Sequence, residues 1–109
     1  MGKALRQYQQ GDVIARQVTA LPTGVQPRQP SPRGIVLAEG EVTGHAHVAV
    51  GPELSCYEKD GLLYLVIGEG GAGVQHEEHA PQQWAPGIYE IDRVREKDYL
   101  ADMVRQVKD

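Results

Sequence analysis

Four histidines occur in the chain, as two close pairs: His45 and His47 in GEVTGHAHVAV, and His76 and His79 in GVQHEEHAP. On a β-strand, residues i and i+2 project from one face, about 6.5 Å apart along the chain. Two imidazoles so placed can converge on one ion. Zinc takes nitrogens at about 2.0–2.1 Å in a tetrahedron, which sets two such nitrogens about 3.3 Å from each other. A third ligand must come from elsewhere, and the second pair is the obvious source. If residues 72–78 are a strand, His76 shares a face with Val74 and Glu78, while His79 faces the other way or leaves into the loop before Pro81.

The expected site is therefore His45, His47 and His76, with His79 or a nearby carboxylate as fourth ligand. Glu41, Glu77 and Glu78 are placed to add an oxygen ligand, act as general base on bound water, or orient a ring nitrogen. The expected ion is a divalent transition metal, zinc first, with Mn, Fe, Ni or Cu as alternatives. HEEH is not the HExxH of zinc peptidases, which needs its histidines at i and i+4 on one helical face. The competing reading of both pairs is plain polar alternation on an exposed strand and a hydrated turn.

These pairs need a sheet to hold them, and the sequence supplies one. GDVIARQV (11–18), GIVLAEG around 34–38, and EVTGHAHVAV (41–50) read as strands opened or separated by glycine. LSCYEK and LLYLVIG flank Asp60-Gly61, the dipeptide of a type I′ hairpin turn, giving strands at 54–59 and 62–67. Residues 72–78 form a further strand, Gln82–Trp84 suit a short one, and 87–96 follow the Pro86-Gly87 turn. GEGGAG is a turn rather than a dinucleotide loop, because no helical pattern follows it. Leu100, Met103, Val104 and Val107 fall at helical spacing, so 98–107 is expected as a short C-terminal helix with Asp98 as N-cap. The whole, residues 1–109, reads as one mainly β domain, a small β-barrel or sandwich.

Residues 20–33, ALPTGVQPRQPSPR, hold four of the seven prolines and form a loop or arm. With few apolar groups of its own, the arm is expected to dock on a second copy of the chain, making a homo-oligomer. Cys56 is the only cysteine and reads as a buried structural thiol in a reducing cytoplasm. Trp84 and Tyr89 read as core packing. A net charge of −4 with scattered Lys and Arg disfavours nucleic acid as a partner. No apolar run reaches membrane-spanning length, and the polar start MGKALRQYQQ shows no secretory signal.

GEVTGHAH, with Glu53 downstream and WAPGIYEI beyond, resembles the cupins over about a third of the chain. That resemblance implies His45 and His47 as metal ligands and Glu53 as a third. It leaves the fourth position, at Tyr89, without a histidine. Across most of its length the chain is similar to small uncharacterised bacterial and phage proteins. These share a QGDV start, a GEVTGHxH centre, an HEEH element and a PGxYEVxRxREYDY ending. Gln10 to Val13, Gly40 to His47, His76 to His79 and APGIYEIDRVREKDY carry that likeness here. It supports the histidines as a set and implies no reaction. Two functions therefore stand as expectations: a metal-binding β protein with metal-bound water available for catalysis, or a phage-related structural module whose histidines are structural or unliganded.

Overall fold

Period-two alternation and two-residue turns account for most of the chain. The computed structural model describes residues 5–40 and 44–93, and among them all regular structure is β. The strands are β1 Gln7–Gln10, β2 Val13–Val18, β3 Gln26–Pro27, β4 Ile35–Glu39, β5 Ala46–Val50, β6 Leu54–Lys59, β7 Leu62–Ile67, β8 Ala72–His76, β9 His79–Trp84 and β10 Gly87–Arg93. They form a six-stranded sheet, β1-β2-β10-β7-β6-β3, and a four-stranded sheet, β4-β5-β8-β9. The expected helix at 98–107 and Glu41 lie outside the described residues. No helix among the described residues is long and apolar enough to cross a membrane.

Asp60 and Gly61 both have positive φ, 51° and 81°, as a type I′ turn requires, and they set Lys59 opposite Leu62. Gly11 alone is positive in the β1–β2 turn, at 57°, which fits a type II′ turn with Gln10 opposite Val13. The strand expected from residue 11 thus starts at Val13, and Gly11-Asp12 is a hairpin turn. Its first arm, QYQQ, was not foreseen as a strand. Polar residues tolerate this position because β1 is an edge of the larger sheet.

Inward-facing side chains of both sheets share one core. Val13, Ala15, Leu63, Leu65, Ile67, Tyr89 and Ile91 of the larger sheet meet Ile35, Leu37, Ala49, Ala72, Val74 and Trp84 of the smaller. With no Phe available, Trp84 and Tyr89 are the largest fully buried side chains. Tyr8 stacks on Trp84 at 5.3 Å between ring centroids, with 9° between the planes. Its hydroxyl accepts from Ala85 N at 3.0 Å, and the Tyr89 hydroxyl donates to Ala85 O at 2.8 Å. Cys56 is buried as expected, and burial pushes its thiol up to about 11.

The fold is two open sheets, which corrects the closed-barrel alternative. Edge strands β1 and β9 approach each other, but side chains join them where a barrel would need a continuous ladder. Gln82 Nε2 donates to Gln9 O at 2.8 Å, and Gln10 Nε2 donates to Ala80 O at 3.0 Å. Pro81 sits within β9, an edge strand, where a missing N–H is tolerated. The proline-rich arm follows the β6 edge: β3 pairs with it through Gln26↔Glu58 and Pro27↔Tyr57. Arg28 N donates to Cys56 O at 2.8 Å, and Lys59 Nζ to Thr23 O at 2.6 Å.

A histidine cluster as candidate metal centre

Strand register brings three of the four histidines onto one line across the smaller sheet. In the β5–β8 ladder Val48 faces Gln75 and Ala49 faces Val74, so the next step sets His47 against His76. His76 in turn pairs with His79 across the β8–β9 hairpin, whose turn is Glu77-Glu78. HEEH is therefore a complete hairpin corner, a histidine at each end and the two carboxylates at its tip.

The sequence reading ran one strand through residues 72–78 and so set His79 on the face opposite His76 or in the loop before Pro81. A two-residue turn overturns this: β8 ends at His76, the chain reverses at Glu77-Glu78, and His79 pairs directly with His76. Between the pairs Val74↔Gln82 and His76↔His79, β8 advances two residues and β9 three. Directly paired residues share a face, so His79 lies on the side of His76, and the extra residue keeps Gln82 on that side as well. Ring centroids are then 4.7 Å apart for His76–His79, 4.2 Å for His47–His76, 5.8 Å for His47–His79 and 5.7 Å for His45–His76. His45, just before β5, joins the cluster from its end.

Three consecutive residues of the β1–β2 turn build the floor of this cluster, and the sequence reading gave none of them a part in it. Gln10 is 2% exposed. Its Nε2 donates to Val74 O and Ala80 O, both at 3.0 Å, the carbonyls flanking the interrupted ladder. That orientation aims its Oε1 at His47 Nδ1, 2.8 Å away, so Nδ1 carries the hydrogen. Gly11 leaves room for a ring: a Cβ there would stand 2.5 Å from His79 Nε2. Asp12 Oδ1 lies 3.2 Å from His47 Nε2, and its Oδ2 accepts from Arg93 Nε at 2.7 Å. Partial burial works against the Asp12 carboxylate, but Arg93 outweighs it and holds the pKa below the ordinary value.

Gln10 Oε1 and Asp12 Oδ1 thus stand at the two nitrogens of His47, whose side chain is 5% exposed. The other rings are more open. His45 Nδ1 lies 3.4 Å from Glu78 Oε1. His76 Nδ1 accepts from Glu78 N at 3.0 Å, so its neutral ring carries hydrogen on Nε2. Glu77 is held by Ala46 N at 3.0 Å and by Arg33 at 3.3 Å. The Ala46 N–H is the main cause of its lowered pKa, with His45 and Arg33 adding to it. Donor atoms of His45, His76 and Glu77 all lie within 4.8 Å of one another, two imidazoles and one carboxylate. Of the expected residues, Glu78 stands beside the group, and Glu53 lies away from it against Gly68.

Residues 9–94 match DUF8820, a domain of unknown function, and the chain belongs to that family. The matched span contains every residue of the cluster, from Gln10 to Arg93. No curated protein and no solved structure matches the chain.

Two outcomes are expected. Gln10→Ala strands the buried Val74 carbonyl, the part-buried Ala80 carbonyl and a ring N–H, and should lower unfolding stability by roughly 2–4 kcal/mol in denaturant titration. A loss under about 0.5 kcal/mol, the scale of ordinary surface changes, would remove Gln10 from this role. The second concerns pH. Burial lowers the His47 pKa from its ordinary 6.5, the charge of His76 adds to this, and Asp12 opposes it. The folded chain then holds fewer protons than the unfolded one below 6.5, so this contribution to stability is full above 6.5 and lost as pH falls toward the folded pKa. In chelator, Tm should drop between about pH 8 and about pH 5.5, and drop less in His47→Gln. Asp12 and Glu77, with ordinary values of 3.8 and 4.5, act only below that window. An equal slope in both proteins would contradict a depressed His47.

Proposed function

We propose that this member of the DUF8820 family binds one divalent transition-metal ion through His45, His76 and Glu77, with His47 as the buried ring that braces the cluster. The convergence of those three donor atoms within 4.8 Å carries the reading. Two imidazoles and one carboxylate form a ligand set that zinc uses with an open position, and one that Fe, Mn, Ni or Cu also accept. Donor atoms around zinc stand about 3.3 Å apart, so the group must close by about 1.5 Å at its widest, within the reach of a rotamer adjustment. Glu77 is held from the backbone side by the Ala46 N–H, and its contact with Arg33 is long, at 3.3 Å.

Ligation changes the HEEH turn. Whichever nitrogen of His76 binds, the Nδ1 lone pair is no longer available to the Glu78 N–H. If Nδ1 binds, the metal takes the lone pair; if Nε2 binds, the ring hydrogen moves to Nδ1. The metal-free turn and the loaded site are thus alternative uses of one lone pair. A bound ion would supply Lewis acidity, polarising a ligand oxygen or activating water. Beside the ligands lies a cavity of about 350 Å³, lined by Arg33, Ala46, Val48 and Gln75 as well as His76 and Glu77. That is room for a small molecule.

Elemental analysis of protein purified without a histidine tag should find about one ion per chain. His45→Ala and Glu77→Gln should each remove most of it, whereas His79→Ala should retain it. Metal content unchanged in a His45→Ala/Glu77→Gln double variant would refute this ligand set.

A further inference from the structure

The proline-rich arm carries two arginines, Arg28 and Arg33, and residues 20–33 contain no Asp or Glu, in a chain whose net charge is −4. Both arginines spring from anchored backbone. Arg28 N donates to Cys56 O at 2.8 Å on β6. Arg33 sits in the tight turn Ser31-Pro32-Arg33-Gly34, closed by Ser31 N to Gly34 O at 2.9 Å and Gly34 N to Ser31 O at 3.0 Å. Ser31 Oγ also accepts from Arg33 N at 3.1 Å and donates to Gly34 O at 3.0 Å. Arginines held this way lose little backbone freedom on binding, which favours ligand capture.

A second cavity, of about 340 Å³, opens between β4 and the arm. Arg28, Gln29, Ser31 and Arg33 give it donors, Ile35, Val36 and Cys56 give it an apolar wall, and one carboxylate, Glu39, stands against the two arginines. Arg33 also lines the cavity beside His76 and Glu77, so one guanidinium borders both spaces. Its contact with Glu77 is long for a charge-assisted bond, 3.3 Å against the usual 2.7–2.9 Å, and both side chains are 42–50% exposed. Such a pair binds weakly and leaves most of the guanidinium fork available.

We propose that Arg28 and Arg33 bind the oxyanion head of a small ligand, a carboxylate or phosphate on a short apolar body, and that the rest of this ligand reaches the His76–Glu77 side. The second half of this assignment rests on the metal reading above; the first half does not. A guanidinium fork matches the paired oxygens of either head group. When Glu77 turns to the ion, Arg33 gains a free edge, so metal and anion should help each other bind.

The test is an amide-resolved titration of the full chain by NMR, first in chelator, with succinate and with inorganic phosphate as separate arms. Saturable shifts at Arg28, Ser31, Arg33 and Gly34 are expected. Arg28→Gln/Arg33→Gln should weaken binding about tenfold or more, and Arg33→Lys, which keeps the charge but loses the fork, should restore only part of it. The arm that saturates at lower concentration identifies the head group. Shifts that never saturate, or saturable binding that survives in the double variant, would overturn the anion site. Succinate titrated into zinc-loaded protein then reads the coupling, expected as a several-fold gain in affinity. In protein that demonstrably holds zinc, equal affinity with and without the ion would overturn the link to the metal side. Failure to hold zinc at all would refute the metal reading instead.

Discussion

One buried amide holds the two sheets in the relation that the histidines require. Gln10 reaches from the edge of the larger sheet into the smaller one, donates to Val74 O and Ala80 O, and presents its own oxygen to His47. A buried polar group of this kind is costly when any partner is missing and rigid when all are present. Because its two N–H groups are committed to carbonyls, its oxygen has one direction left, and that fixes the tautomer of His47. The same side chain thus ties β8 to β9 beside the bulge and places the hydrogen on a ring nitrogen.

Crowding four imidazoles has an electrostatic consequence. Burial, and then the charge of His76, disfavour the proton on His47. Asp12, kept ionised by Arg93, pulls the other way from 3.2 Å. With Nδ1 committed to Gln10, neutral His47 turns its Nε2 lone pair toward a carboxylate, an arrangement that any nearby cation would relieve. The His47 ring is therefore open to a neighbouring positive charge while its own protonation is opposed. Arg33 contributes such charge from the arm side, through Glu77.

Much of the sheet structure was legible in the sequence. Asp60-Gly61 dictated its hairpin, and the alternating LLYLVI and IYEI segments dictated the strands that flank the core. The histidine pairs were legible as a set because their spacing is local. What escaped was whatever depends on a partner strand. QYQQ has no apolar alternation, and it becomes β1 only because an edge position tolerates polar side chains. The face taken by His79 was misjudged because the strand read as 72–78 ends at His76, and the Glu77-Glu78 turn sets His79 directly opposite it. Gln10, Gly11 and Asp12 looked like a turn and nothing more. Their part in the site comes from lying 35 or more positions from the rings they hold. Even so, the QGDV string was a usable signal, since a buried Gln beside a Gly-Asp turn is chemically expensive unless something needs it.

The central claim is that the β1–β2 turn reserves His47 as a brace and leaves His45, His76 and Glu77 to hold the ion. X-ray absorption at the zinc K-edge of zinc-loaded protein reads this most directly. Two imidazoles with light oxygen scatterers, at about 2.0–2.1 Å, are the expected result. Three or four imidazoles around the metal would contradict it, by showing that His47 or His79 leaves its place in the metal-free structure to bind.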